Sequence, residues 1–259
     1  MRYYVVDAFA EKIFEGNPAG VCIMNEWLPD DTMQNIAIEN NLSETAFAVK
    51  EENGYHLRWF TPGGEIDLCG HATLATAYIL FRFVETSQES IVFNSKSGEL
   101  TVTKKGDLYE LDFPIIFSEK YPVSEQMIAA LGVEPLETYK GNDLIFLLES
   151  EEAVQNLKPN FEKMKDIPEG IAVFVTAKGS KHDYVARAFF PKLNLNEDPV
   201  TGAMQCSLVP FWTERLGKKE LIVRQLSKRG GTIYCKNNGD RVKISGPAAL
   251  YSIGDIFID

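Results

Sequence analysis

The feature that most constrains this 259-residue chain is an internal echo: the second half restates the first at an offset of 129 to 133 residues. Arg58-Trp59-Phe60-Thr61-Pro62 reads R-x-F-x-P, as does Arg187-Ala188-Phe189-Phe190-Pro191. Glu65 and Gly70 recur as Glu197 and Gly202, and Ser95 recurs as Ser227. Lys104-Lys105-Gly106-Asp107 is then echoed by Asn237-Asn238-Gly239-Asp240. Two like halves create a cleft, and a cleft between halves is where ligand chemistry is expected. The halves are set at residues 1–115 and 116–259, with the last strand free to cross back to the first half.

Strand patterns cover Tyr3–Phe9, Val21–Met24, Thr45–Val49, Tyr55–Phe60, Ile91–Asn94, Glu99–Lys104 and Leu108–Phe113. Asn17-Pro18-Ala19-Gly20 reads as a turn. Asp30 is placed to cap a helix carrying Met33, Ile36 and Ala37 on one face. From His71 the chain is apolar nearly all round to residue 83, the mark of a buried helix. The second half repeats the plan with a helix at 203–216, followed by strands at Leu221–Gln225, Thr232–Cys235 and Arg241–Ser245. These elements predict an α+β fold of two pseudo-symmetric halves, each a rolled, antiparallel or mixed sheet around a central helix.

Composition narrows the function. With 26 basic against 37 acidic residues the net charge is −11, and no Lys/Arg-rich run appears, so nucleic acid is not an expected partner. Arg58, Arg187 and Arg229 could still make a local positive pocket. Cys22, Cys69, Cys206 and Cys235 lack CxxC pairing, a usage that suits a reducing cytoplasm. No leader or membrane-spanning segment is read. The three histidines, His56, His71 and His182, have no metal-ligand spacing, so no metal is expected. Phosphate-loop, dinucleotide and nucleophile-elbow motifs are also missing.

Two glycine turns stand where a loop enters a helix, Leu68-Cys69-Gly70-His71-Ala72-Thr73 and Pro199-Val200-Thr201-Gly202-Ala203. The first N–H groups of a helix lack internal partners and carry partial positive charge. Such ends bind a carboxylate without needing lysine. Glu44, at the edge of an apolar strand, is either a poorly hydrated proton shuttle or a solvated cap. His71 is a proton relay or a structural histidine at a helix start. Asp198 orients a substrate or stabilises its turn. Glu65 and Glu197 read as structural. Cys69 precedes one glycine but Thr201 precedes the other, which disfavours a symmetric two-thiol racemase, and Cys206 reads as core.

The ordered set Asp7-Ala8-Phe9, Phe14-x-Gly16-Asn17-Pro18-Ala19-Gly20-Val21, Glu44-Thr45-Ala46-Phe47, Phe60-Thr61-Pro62, Leu68-Cys69-Gly70-His71-Ala72-Thr73, Glu197-Asp198-Pro199-Val200-Thr201-Gly202 and Gln225-x-Ser227-x-Arg229-Gly230-Gly231 resembles the PhzF-like isomerase family of phenazine biosynthesis. The resemblance spans nearly the whole chain. It implies the diaminopimelate-epimerase-like fold, a homodimer, and a cofactor-free proton shift on a cyclic amino acid. It makes Glu44 the general acid/base, with His71 and Asp198 in the substrate site. The turns at Gly70 and Gly202, with Thr73, Ala203 and Arg229, would bind the substrate. The chain departs from the family at Gly202-Ala203-Met204-Gln205, where Gly-Ser-Ala-His is usual. The resulting expectation is an isomerase acting on a small, amino-acid-like carboxylate. An epimerase using Glu44 with His71 or Cys69, or a non-catalytic carboxylate binder, are the alternatives.

Overall fold

The computed structural model describes residues 1–258. It divides into two compact units, Met1–Asp112 with the segment from Ser245 onward, and Phe113–Ile244. The division thus falls at Asp112/Phe113, and the chain returns to the first unit at Ser245.

Unit 1 begins with β1 (Arg2–Ala8) and β2 (Asn17–Met24), then α1 (Asp30–Asn40), β3 (Glu44–Glu51), β4 (Gly54–Thr61), β5 (Gly64–Ile66) and α2 (Gly70–Phe83). It continues through β6 (Ser90–Ser95), β7 (Gly98–Lys105) and β8 (Leu108–Pro114). In its sheet β1 pairs antiparallel with β2 and β2 parallel with β3. Strand β4 pairs antiparallel with β3 and β5 and parallel with β6, and β7 joins antiparallel to β6 and β8.

Unit 2 contains β9 (Glu119–Lys120), α3 (Glu125–Leu131), β10 (Glu137–Lys140), β11 (Leu144–Leu147), α4 (Glu151–Asn156), α5 (Phe161–Lys165), β12 (Val173–Lys178) and β13 (Tyr184–Phe190). It ends with β14 (Leu195–Asp198), α6 (Gln205–Leu216), β15 (Glu220–Gln225), β16 (Gly231–Asn237) and β17 (Arg241–Gly246). Strand β18 (Ala248–Asp255) runs antiparallel to β1 in unit 1.

The two units share one order of pairings. The run β10–β11–β12–β13, with β14 antiparallel and β15 parallel to β13, matches β1–β2–β3–β4 with β5 and β6. The class is therefore α+β with two pseudo-symmetric halves. In each, a helix follows the short antiparallel strand. Every residue of α2 from His71 to Phe81 is buried, and the helix packs on β1, β2, β3, β7 and β18. That is the environment an all-apolar helix requires. Helix α6 packs on β15 and β16. A second core in unit 2 gathers Phe146, Val175, Val185 and Phe189 under α3, α4 and α5, whose caps Ser124, Ser150 and Asn160 accept backbone N–H bonds.

Three local expectations change. Asn17-Pro18 is extended strand; the bend lies upstream at Phe14 (φ 75°) and Gly16 (φ 66°). A Cβ on Gly16 would stand 2.1 Å from Ala8 O, so only glycine fits there. Asp30 does not cap α1, because Pro29 occupies the N-cap and Arg58 Nη1 donates to Asp30 Oδ1 at 2.8 Å. Helix α6 starts at Gln205, since the carbonyls of Gly202 and Ala203 first close single turns onto the N–H groups of Gln205 and Cys206. Among the described residues no helix is long and apolar enough to cross a membrane.

Candidate active site

Parallel pairing of β2 with β3 sets Ala19 beside Glu44, the first residue of β3. Strand β2 opens two residues earlier with Asn17, whose side chain is fully buried. The third contributor is the start of α2, where Cys69 is the extended N-cap, Gly70 the first helical residue and His71 the second. These elements bring four side chains of unit 1 together.

The imidazole of His71 lies between a carboxylate and a thiol. Its Nε2 is 3.0 Å from Glu44 Oε2, with the two side chains only 8% and 15% exposed. Neither of these buried atoms is aligned for a hydrogen bond. On the other side, Nδ1 is 3.5 Å from Cys69 Sγ and 3.4 Å from Asn17 Nδ2. Ser43, just before β3, donates its hydroxyl to Asn17 Oδ1 at 3.3 Å.

Opposing influences act on the ring. Burial works against its protonation, while the charges of Cys69 and Glu44 work for it, and the result is a His71 pKa well above the ordinary imidazole value. Burial, helped by the Glu44 charge, also pushes the Cys69 thiol up. At neutral pH that thiol is uncharged, so Glu44 is the partner that favours imidazolium.

The donor atoms of Glu44, Cys69 and His71 lie within 4.8 Å of one another. Thiol and carboxylate nevertheless address different ring nitrogens, whereas a metal ion would need one nitrogen to face both. The arrangement fits proton transfer better than ligation.

Thr73 lies in the first turn of α2. It is fully buried, and its hydroxyl donates to Cys69 O at 2.6 Å, the carbonyl one helical turn back. Its backbone N–H bonds the same oxygen. Gly70 remains at the helix start, where the first N–H groups have no acceptor within the helix.

The expected pocket of arginines also changes. Arg58 Nε and Nη2 hold Glu65 at 2.7 and 2.9 Å, and Arg187 Nε and Nη2 hold Glu197 at 2.6 and 3.0 Å. The repeated R-x-F-x-P…E pattern is thus a two-pronged clamp fastening β5 to β4 and β14 to β13.

In unit 2, buried Asp198 accepts a hydrogen bond from the Thr201 hydroxyl. Gln225, fully buried, was given no role by sequence reasoning. Its Oε1 accepts Thr201 N–H at 2.7 Å, and its Nε2 donates to Asp198 O at 2.8 Å. Gly202 is buried, Ala203 exposed and Arg229 half-buried. Ser227 Oγ donates to Pro199 O at 2.7 Å and accepts Gly230 N–H at 2.9 Å. Asn17 and Ser43 also escaped notice as site residues. The available signal was a polar residue opening an otherwise apolar strand.

The chain is similar to known proteins over its whole length. A family model described as phenazine biosynthesis-like protein matches residues 6–254. An uncharacterized isomerase of Pseudomonas aeruginosa is 44% identical over 259 residues, covering 100% of this chain and 99% of that protein. The crystal structure of a phenazine biosynthesis protein of the PhzF family from Enterococcus faecalis matches with a TM-score of 0.98 and 51% identity over 99% of each chain. A hydroxyproline epimerase of Agrobacterium vitis, with bound trans-4-hydroxy-L-proline, matches with a TM-score of 0.62. It covers 99% of this chain and 90% of its own at 11% identity, a likeness of fold alone.

Proposed function

We propose, on the premise that this chain belongs to the phenazine biosynthesis-like protein family and is an isomerase, that it moves a proton within a small, amino-acid-like carboxylate, with Glu44 as the general acid/base. The observation that carries the reading is the pair Glu44 Oε2 and His71 Nε2, 3.0 Å apart, buried, and outside any hydrogen bond. A carboxylate and an imidazole buried side by side, and not tied into a hydrogen bond, are groups suited to exchange a proton with a substrate.

In the reaction, Glu44 takes a proton from a carbon made acidic by neighbouring unsaturation. The C–H electron pair shifts into that unsaturated system, and the same carboxyl returns the proton to another carbon on the same face. One carboxylate does both halves, so atoms and charge balance without a co-reactant. His71 supplies a polar neighbour that stabilises Glu44 as it loses its proton again. The open N–H groups at the start of α2 offer a place for the substrate carboxylate. Substrate-holding roles for Asp198, Gly202, Ala203 and Arg229 are part of the proposal and are tested separately through KM.

Glu44→Gln should lower turnover by at least about a hundredfold while leaving folding and ligand binding intact. Small carboxylates that raise the melting temperature provide the assay substrates, followed by deuterium uptake from heavy water. Retained exchange in Glu44→Gln would remove Glu44 from the role. A second reading, epimerisation, is favoured by the Cys69 thiol standing on the far nitrogen of the same ring. Deuterium uptake with inversion at one carbon, and no migration of a double bond, would select it.

A further inference from the structure

We propose that Asn17, oriented by Ser43, is a positioning residue that aims its amide N–H at Nδ1 of His71 and so keeps the neutral ring's proton on Nε2, the nitrogen facing Glu44. The inference rests on the proposed role of Glu44 and extends it to a residue on a different strand.

The argument runs through a short chain of contacts. The Ser43 hydroxyl donates to Asn17 Oδ1 at 3.3 Å. The nitrogen end then faces His71 Nδ1 at 3.4 Å. A ring nitrogen approached by an N–H donor presents its lone pair. The Cys69 thiol, kept neutral by burial, lies 3.5 Å from the same nitrogen and is a second weak donor. The exchangeable proton of the neutral ring is left on Nε2, 3.0 Å from Glu44 Oε2.

Asn17 is also a counterweight. The charged group that acts on the ring is Glu44, from β3; Cys69, at the start of the ring's own helix, is kept neutral by burial. Glu44 draws the ring toward double protonation, and an N–H at Nδ1 resists it. An amide suits this position because it carries no charge of its own and has one end for Ser43 and the other for the ring. Asn17 is fully buried, so its orientation is not averaged by solvent.

The test is a pH titration of the full chain labelled with ¹⁵N-histidine. Only three histidines are present, and the His71→Gln spectrum identifies the His71 signals. In the unsubstituted protein the neutral His71 ring should carry its proton on Nε2, with Nδ1 bare. Asn17→Leu removes the donor without adding charge and should raise the ring's titration midpoint. Turnover near neutral pH should fall on the order of tenfold with KM little changed. Ser43→Ala, at a half-buried position, is the variant to use if Asn17→Leu does not fold, and it should move the midpoint in the same direction by less. A neutral ring protonated on Nδ1, or a midpoint unmoved or lowered in the variants, would overturn the proposal. These spectra read the free protein, so they stand whether or not Glu44→Gln removes turnover.

Discussion

The two glycine elbows are built on one plan and finished differently. Each follows a strand pinned by an arginine–glutamate clamp, Arg58 on Glu65 and Arg187 on Glu197. In unit 1 the helix begins at the glycine itself, and the next residue, His71, meets a carboxylate without a satisfied hydrogen bond. In unit 2 the helix begins three residues beyond Gly202. Its preceding loop is laced together by Asp198, Thr201 and Gln225, and Gln205 in the first turn accepts a hydrogen bond from Tyr184. A repeated scaffold therefore keeps its clamp, while one elbow leaves a buried pair without an aligned hydrogen bond and the other ties its polar groups into a network. Unsatisfied groups mark the first, closed networks the second.

This contrast predicts that substitutions at the two elbows fail in different ways. Gln225→Leu removes the hydrogen bonds that Gln225 makes to the buried Thr201 N–H and to the Asp198 carbonyl, and should destabilise the protein by about 3 kcal/mol. Glu44→Gln removes the ion pair with His71 but no aligned hydrogen bond, and should change stability by less, about 1 kcal/mol. Urea denaturation of both variants measures the difference, and equal losses would erase the distinction.

A smaller effect concerns the unit 1 clamp in acid. Hydrogen bonds from Arg58, then Lys96, hold the Glu65 carboxyl down to about 2 from an ordinary 4.5. A depressed carboxyl stabilises the fold above its unfolded value, so this contribution is complete above about pH 4.5 and is lost as pH falls toward 2. Glu65→Gln should flatten the decline in melting temperature through that window. An unchanged acid profile would mean the clamp holds geometry without contributing to stability.

The smallest effect is expected at Thr73. Thr73→Val deletes one hydroxyl bond to Cys69 O and should cost about 1 kcal/mol, with KM for the substrate unchanged. A raised KM would place Thr73 in the binding site.

The strands, the buried helix and the doubled plan were legible because side-chain periodicity and the spacing of Arg, Glu and Gly act locally. The helices α3, α4 and α5 were passed over, although Ser124, Ser150 and Asn160 carried the capping signal. Asn17 was misread for a physical reason. Asn-Pro favours turns, but at this point pairing with β1 outweighs the local preference, and the bend moves to Phe14 and Gly16. The roles of Arg58 and Arg187 were misjudged because a charge on a sequence does not announce its partner.

By itself the sequence determined the α+β class, the two-unit plan, and Glu44 and His71 as the residues to watch, since these depend on residue type and short-range spacing. Only the tertiary structure decided that Glu44 and Asn17 meet opposite nitrogens of one ring. Asn17 and His71 are 54 positions apart, and sheet register sets which side chains of distant segments share a buried space. It likewise decided that Thr73 turns back on its own helix and that Gln225 closes the second elbow. Hydrogen-bond partners of buried groups are chosen by proximity after the chain has folded, and one-dimensional spacing does not contain that choice.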